Sequence, residues 1–240
     1  ARAWTPTTIA AASTPLRPSN PKPISDWIDA LSWMRYNVPQ TAVVASWWDY
    51  GYWITNMADK TTLCDNGTVN MTQIAQVATM FMSNETRALE ILKKYNVKYV
   101  VVFTTFYVTQ DTSTGEIQIQ DRPAWGEEGK WQWMVKIAGD LGNETDFGEW
   151  EQEQGTTIIW TEKGKNTVLY KLMNYGRYIR LYYESYKSQY GGEPDEVTLK
   201  MALESYKVQF NLEHFNLVYF SKGAQKNPFI LVGVYEVEYS

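Results

Sequence analysis

Val43 to Trp53 reads VVASWWDYGYW: a short β-branched run, two adjacent indoles, one carboxylate, and a turn at Tyr50-Gly51. Each indole offers one N–H donor and no acceptor, and an ionised aspartate only accepts. Two donors, Trp47 and Trp48, beside one acceptor, Asp49, match an aliphatic hydroxyl, which accepts on its lone pairs and donates once. The stretch therefore has the chemistry to hold a serine or threonine side chain. A packed corner in which Asp49 caps the following helix has the same residue types, and at this level both readings stand.

Nothing else in the chain has the look of a self-contained active site. GxGxxG, the P-loop, HExxH, CxxC and GxSxG are all absent. The 27 acids offer many carboxylate pairs, but no spacing singles one out. One histidine, His214, makes a metal site improbable, and one cysteine, Cys64, excludes an internal disulfide. A net charge of −5 argues against nucleic acid as a partner. Eleven tryptophans and 17 tyrosines supply polar-tipped apolar area of the kind found at recognition surfaces.

Asn-x-Ser/Thr occurs at Asn66, Asn70, Asn84 and Asn143, a mild excess that marks these as possible glycosylation sites on an extracellular or lumenal face. No apolar run approaches the ~20 residues that span a bilayer. The chain starts without Met and without an apolar leader, so it reads as an excised piece.

The elements that must position the motif follow from punctuation and periodicity. Residues 1–24 hold five of the nine prolines and read as an extended linker. Ser25 or Asp26 caps a helix with Trp27, Leu31 and Met34 on one face. AVVAS is a first strand, the motif turns into a short helix near residues 49–56, and TTLCD is a second strand. Two helices follow, striped by Ile74, Val77, Ala78 and Phe81, then by Leu89 and Leu92, before the buried strand KYVVVF.

That order implies a mixed α/β fold, a central sheet covered by helices. Residues 104–121 suggest a surface hairpin insertion. KWQWMVKIAGDL predicts a helix with Trp133, Met134 and Ile137 on its apolar face. NTVLYKLMNYG predicts a short helix or strand ending at Gly176, and residues 177–213 a polar, Tyr-rich, peripheral helical segment. FNLVYFSK and FILVGVYEVE add C-terminal strands. The domain reading is linker 1–24, core 25–175, and a C-terminal segment 176–240 packed on the core.

WWDYG, with the following MADKTTLCDN, resembles the signature region of the catalytic subunit of oligosaccharyltransferase, the enzyme of protein N-glycosylation. EEGKWQWMVKI resembles a second element of that family, Asp-x-x-Lys-x-x-x-Met, with Glu127, Lys130, Met134 and Ile137 at the matching positions and glutamate in place of aspartate. The resemblance covers residues 24–141 well and the remainder loosely. It implies that Trp47, Trp48, Asp49, Lys130, Met134, Ile137 and Glu127 bind an acceptor polypeptide carrying Asn-x-Ser/Thr.

It also implies an N-terminal transmembrane domain that binds lipid-linked oligosaccharide and a divalent cation, Mn or Mg. No catalytic residue and no metal ligand is then expected in this stretch, which would be a soluble domain on the external or lumenal membrane face. The departure at Glu127 and the unmatched tail incline the source to be archaeal. A secreted carbohydrate-binding module using exposed aromatics, and an adhesion domain without a small ligand, remain the rival readings.

Overall fold

A computed structural model describes residues 25–67, 70–114, 117–121, 126–151, 157–224 and 226–239. The expected linker 1–24 lies outside the described residues. Helix α1 (Ser25–Asn37) buries Trp27, Ala30, Leu31 and Met34. Strand β1 (Val43–Ala45) ends before the two indoles, and a 3₁₀ turn at Trp48–Tyr50 runs into α2 (Gly51–Asn56). Strand β2 (Thr61–Thr62) is followed by α3 (Met71–Phe81) and α4 (Glu85–Lys94), capped by the Asn70 and Asn84 side chains.

Strand β3 (Val97–Gln110) is the longest, and from Tyr99 to Phe106 every residue is buried, as expected of a strand covered on both faces. It forms a hairpin with β4 (Ile117–Asp121). A 3₁₀ turn at Glu127–Gly129 leads into α5 (Trp131–Ala138). A small hairpin of β5 (Gly148–Trp150) and β6 (Ile158–Trp160) precedes α6 (Glu162–Lys165), α7 (Val168–Tyr190) and α8 (Glu196–Gln209). Strands β7 (Phe215–Phe220) and β8 (Phe229–Val237) close the chain.

The main sheet runs β2-β1-β3-β8-β7, with β4 also paired to β3. Strands β2, β1 and β3 are parallel, whereas β8 is antiparallel to both β3 and β7. Side chains alternate faces along β3. Trp27 of α1 packs on Phe103, whereas Arg177 of α7 reaches Thr104 and Phe106, so α1 and α7 cover opposite faces. The architecture is the expected mixed α/β one.

Three expectations need correction. The segment through Gly176 is neither short nor a strand, because α7 continues to Tyr190 and crosses the boundary expected at 175/176. Gly176 is there for close approach to the sheet: a Cβ would stand 2.6 Å from the Tyr235 hydroxyl, which donates to Leu172 O at 2.6 Å. The segment after Gly176 is not wholly peripheral either. Arg177 and Arg180 are buried, with Arg180 donating to Ser221 O (2.7 Å) and Gly223 O and pairing with Glu184 (2.9 Å). On α5 the buried face is Trp131, Met134 and Val135, while Trp133 is 62% exposed.

Gly176→Ala should therefore destabilise the chain, although alanine favours helix by about 1 kcal/mol. The added methyl displaces the Tyr235 hydroxyl from its bond, at about 1–3 kcal/mol. A lower urea midpoint for Gly176→Ala, and a smaller loss when the same change is made in Tyr235→Phe, is the expected result.

Candidate functional site

Trp47 follows β1 at the carboxyl edge of the parallel strands. The chain leaves β1 toward β2 on one side and returns to β3 on the other, so this is the switch point where open α/β sheets form crevices. The Tyr50 N–H donates to Trp47 O at 3.1 Å, closing the turn. The Asn66 amide, with its nitrogen turned inward, donates to Trp48 O (3.2 Å) and Asp49 O (3.1 Å) and pins the turn from the β2 side.

Under the turn lies an aromatic floor. Tyr50 packs at 4.8 Å from Trp27, 5.6 Å from Trp53 and 5.8 Å from Phe103, centroid to centroid. Trp47 and Trp48 meet edge to face at 6.4 Å. Trp47 is 3% exposed, and Trp48 and Asp49 are half-buried. Among the described residues the sealed and unpartnered indole N–H groups are those of Trp27, Trp131 and Trp160; Trp47 and Trp48 are not among them.

The second motif reaches this rim from across the chain. Lys130 Nζ donates to Asp49 Oδ2 at 2.5 Å and to the Tyr50 hydroxyl at 2.7 Å. Eighty-one residues separate Lys130 from Asp49. Lys130 is placed there because the turn before it is bolted to β3. Glu127 Oε2 accepts from Phe103 N at 2.8 Å, and Glu128 accepts from Thr105 N (3.1 Å), the Thr104 hydroxyl (3.0 Å) and the Thr105 hydroxyl. Gly126 lets the turn approach, since a Cβ there would lie 2.6 Å from Thr104 Cα.

Arg177 backs this assembly, pairing with Asp121 at 2.5 Å and bonding the Thr104 hydroxyl through Nε (3.0 Å) and Nη2 (2.6 Å). Burial pushes the Glu128 carboxyl up against the pull of Arg177. Burial pushes Glu127 well above the ordinary glutamate range, against the pull of Lys130 and with the help of the Glu128 charge. Burial also holds the Tyr50 phenol well above its usual value, and the Glu127 and Asp49 charges add to this.

Trp47, Trp48, Asp49 and Lys130 thus come together on one rim. Glu127 is fully buried beneath it, so its carboxyl braces β3 rather than facing a ligand. Met134 is also fully buried, so its side chain offers no surface to an acceptor polypeptide. Ile137, one turn on, keeps partial exposure and packs on the core edge. Tyr50, Asn66, Glu128 and Arg177 were not expected in this assembly. Tyr50 could have been flagged by its place inside WWDYG, Asn66 as the last residue of MADKTTLCDN and Glu128 by its place inside EEGKWQWMVKI, whereas nothing local marks Arg177.

The four Asn-x-Ser/Thr asparagines are exposed. Asn70 and Asn84 cap helices through their side-chain oxygens, and Asn143 forms a capping box with Asp146. Among the described residues no group of three or more His, Cys, Asp or Glu side chains could hold a metal ion. The two glutamates nearest the rim are occupied by β3, so the donor set beside the rim does not fit a divalent cation. No helix of the described residues is long and apolar enough to cross a membrane.

Residues 40–124 match the family model of the STT3/PglB/AglB core domain. The chain is similar to the dolichyl-diphosphooligosaccharide–protein glycosyltransferase subunit STT3 of Saccharomyces cerevisiae, 36% identical over 153 residues, which are 62% of this chain and 20% of that protein. It is also similar to subunit STT3B of Oryza sativa, 35% identical over 159 residues, covering 62% of this chain and 19% of that protein. The chain spans about a fifth of the length of these curated relatives. Among solved structures it resembles the C-terminal globular domain of oligosaccharyltransferase from Archaeoglobus fulgidus, at 24% identity and a TM-score of 0.49, covering 89% of this chain and 97% of that one.

Glu127→Gln tests the bracing carboxyl. A folded-state pKa above the unfolded one means that the folded chain keeps a proton the unfolded chain gives up, so stability falls as pH rises above the ordinary glutamate range. Glutamine keeps the bond from Phe103 N and has no such proton. The variant should therefore gain stability relative to the parent as pH rises above the ordinary glutamate range in urea unfolding. Parallel pH profiles would mean that Glu127 is ionised in the fold.

Proposed function

We propose that this chain is the acceptor-recognition domain of an oligosaccharyltransferase that transfers lipid-linked oligosaccharide to asparagine in Asn-x-Ser/Thr. The observation that carries the reading is the 2.5 Å contact of Lys130 with Asp49, which joins the two family-like motifs on one rim. The match of residues 40–124 to the STT3/PglB/AglB core domain and the similarity to glycosyltransferase subunits support it. An archaeal source, inferred from the Glu127 departure and the unmatched tail, belongs to the same reading.

The Trp47 and Trp48 N–H groups donate to the hydroxyl oxygen of the Ser or Thr two residues after the acceptor asparagine. Asp49 accepts that hydroxyl's proton in a hydrogen bond. Lys130 orients the carboxylate by holding Oδ2, which leaves Oδ1 for the peptide. A peptide without the hydroxyl leaves two donors and a carboxylate oxygen unmatched, at about 1–3 kcal/mol for each neutral group. Sites built around a substrate hydroxyl reject its deletion by roughly 10⁴-fold.

The transfer step itself lies elsewhere in this reading, in an N-terminal transmembrane domain of the full-length protein. That domain binds the lipid-linked donor and a divalent cation, Mn or Mg, and faces this one on the external or lumenal side. The partial coverage of the longer relatives supports such a division.

Two outcomes test the proposal. In the full-length enzyme, Asp49→Ala should abolish glycopeptide formation while the circular dichroism and melting temperature of the domain stay near the parent's, because a half-buried rim acid is not a core element. Full activity of that variant would return the motif to a packed corner. With the 240-residue chain, an Asn-x-Thr peptide should perturb tryptophan fluorescence and an Asn-x-Ala peptide should not, and incubation with lipid-linked glycan, metal and peptide should give no glycopeptide. A fluorescence response to free glycan alone would favour the carbohydrate-binding alternative.

A further inference from the structure

At the far end of α5 from Lys130, about 12 Å of helix away, a cavity of about 300 Å³ opens between the start of α4, the turn after α5 and the junction of α6 with α7. Two helix N-termini converge on it. The Val168 N–H, which opens the 23-residue α7, donates to Ser83 O at 2.8 Å, and the next residue, Asn84, caps α4. Each helix start carries partial positive charge.

The side chains lining the cavity leave donors over. Arg87 commits one nitrogen to Asp140 at 2.6 Å. Lys163 donates to Leu141 O at 2.7 Å, stands 3.9 Å from Asp146 and keeps further N–H donors. The Asn84 oxygen is taken by Arg87 N, so its amide nitrogen remains. Asn166 adds an exposed amide. Ser83 is only 7% exposed, and its hydroxyl has no hydrogen-bond partner. A buried hydroxyl without a partner is uncommon and calls for an explanation.

The formal charges nearby nearly cancel. Arg87 and Lys163 face Asp140 and Asp146, and Glu85 in the first turn of α4 is already bonded by Lys171 at 2.9 Å. Both helix ends are capped, α4 by the Asn84 oxygen and α7 by the Thr167 hydroxyl and Ser83 O, so what is left over is the surplus of side-chain donors on Arg87, Lys163, Asn84 and Asn166. A ligand that matches them is rich in acceptors and carries negative charge.

We propose that this cavity binds a small oxyanion, a phosphate or the carboxylate of an acidic sugar, through Lys163 and Arg87 with the amides of Asn84 and Asn166. The cavity is at the small end of the range for ligand pockets, so it suits a group no larger than a monosaccharide. This proposal is independent of acceptor recognition at the Trp47–Asp49 rim.

The test is a titration of the chain with inorganic phosphate, glucuronate and glucose at constant ionic strength, read by NMR from the side-chain amides of Asn84 and Asn166. Saturable shifts with phosphate or glucuronate, absent with glucose and with chloride, are expected, and the tighter of the two identifies the source. Lys163→Met and Arg87→Gln change exposed side chains, so both should fold with the parent's melting temperature. Each should weaken binding by about tenfold, the loss of one charge-assisted bond. No saturable shift with either anion, an equal response to glucose or chloride, or unchanged affinity in both variants would overturn the proposal.

Discussion

Among the described residues no strand lies beside the edge of β3 between Val100 and Phe106. On that side β1 has finished pairing at Val100, and β4 takes up the pairing only at Phe106. Two backbone donors, the N–H groups of Phe103 and Thr105, point into the gap, and both residues are buried. Left unpaired, each would cost about 1–3 kcal/mol. Glu127 and Glu128 fill the gap with carboxyl oxygens where a strand would have supplied carbonyls. Because these are consecutive residues of one 3₁₀ turn, satisfying the sheet edge fixes the turn, and Lys130 is the next residue after it. The placement of Lys130 against Asp49 is thus a consequence of closing a hole in the sheet.

Two buried carboxyls side by side are unfavourable unless their charge is reduced or matched. Glu128 has Arg177 3.9 Å away and three hydroxyl or amide donors on β3. Glu127 has a single backbone donor, and one of its oxygens is without a partner, which agrees with its strong upward displacement toward the neutral form. A neutral Glu127 leaves the Lys130 charge to Asp49. The same arrangement keeps the Tyr50 phenol protonated beneath Lys130, inside a floor of Trp27, Trp53 and Phe103. The rim therefore rests on aromatic packing from below and on the sheet edge from the side, the kind of support that holds a hydroxyl-sized site to the tolerance its specificity needs.

Much of this was legible in the sequence, because strands and helices announce themselves through period and punctuation. The buried run Tyr99–Phe103 lies within β3, and Asn70, Asn84, Thr167 and Asp195 cap helices as their residue types favour. What failed was reading tertiary roles from local type. Gly176 looked like a stop, yet it is a helix residue made small by Tyr235. Arg177 and Arg180 looked like solvated charge and are core, because only the folded chain brings Asp121, Ser221 and Gly223 to meet them. Trp133 and Met134 share an apolar label, and periodicity does not say which of two neighbouring stripes is covered.

The asparagine triplets show how one residue type can serve two ends. A capping asparagine uses its side-chain oxygen, as Asn84 does toward Arg87 N and Asn70 toward Thr72 N and Gln73 N. An N-linked glycan would be carried on the nitrogen, so capping and modification do not compete at these positions. Helix capping is therefore enough to account for three of the four triplets, and their count is a weak sign of compartment. At Asn66 the two uses do compete, since its nitrogen donates to the carbonyls of Trp48 and Asp49. A substituent there would replace one of the two N–H groups and so remove one of the bonds that hold the turn presenting the two indoles and the carboxylate.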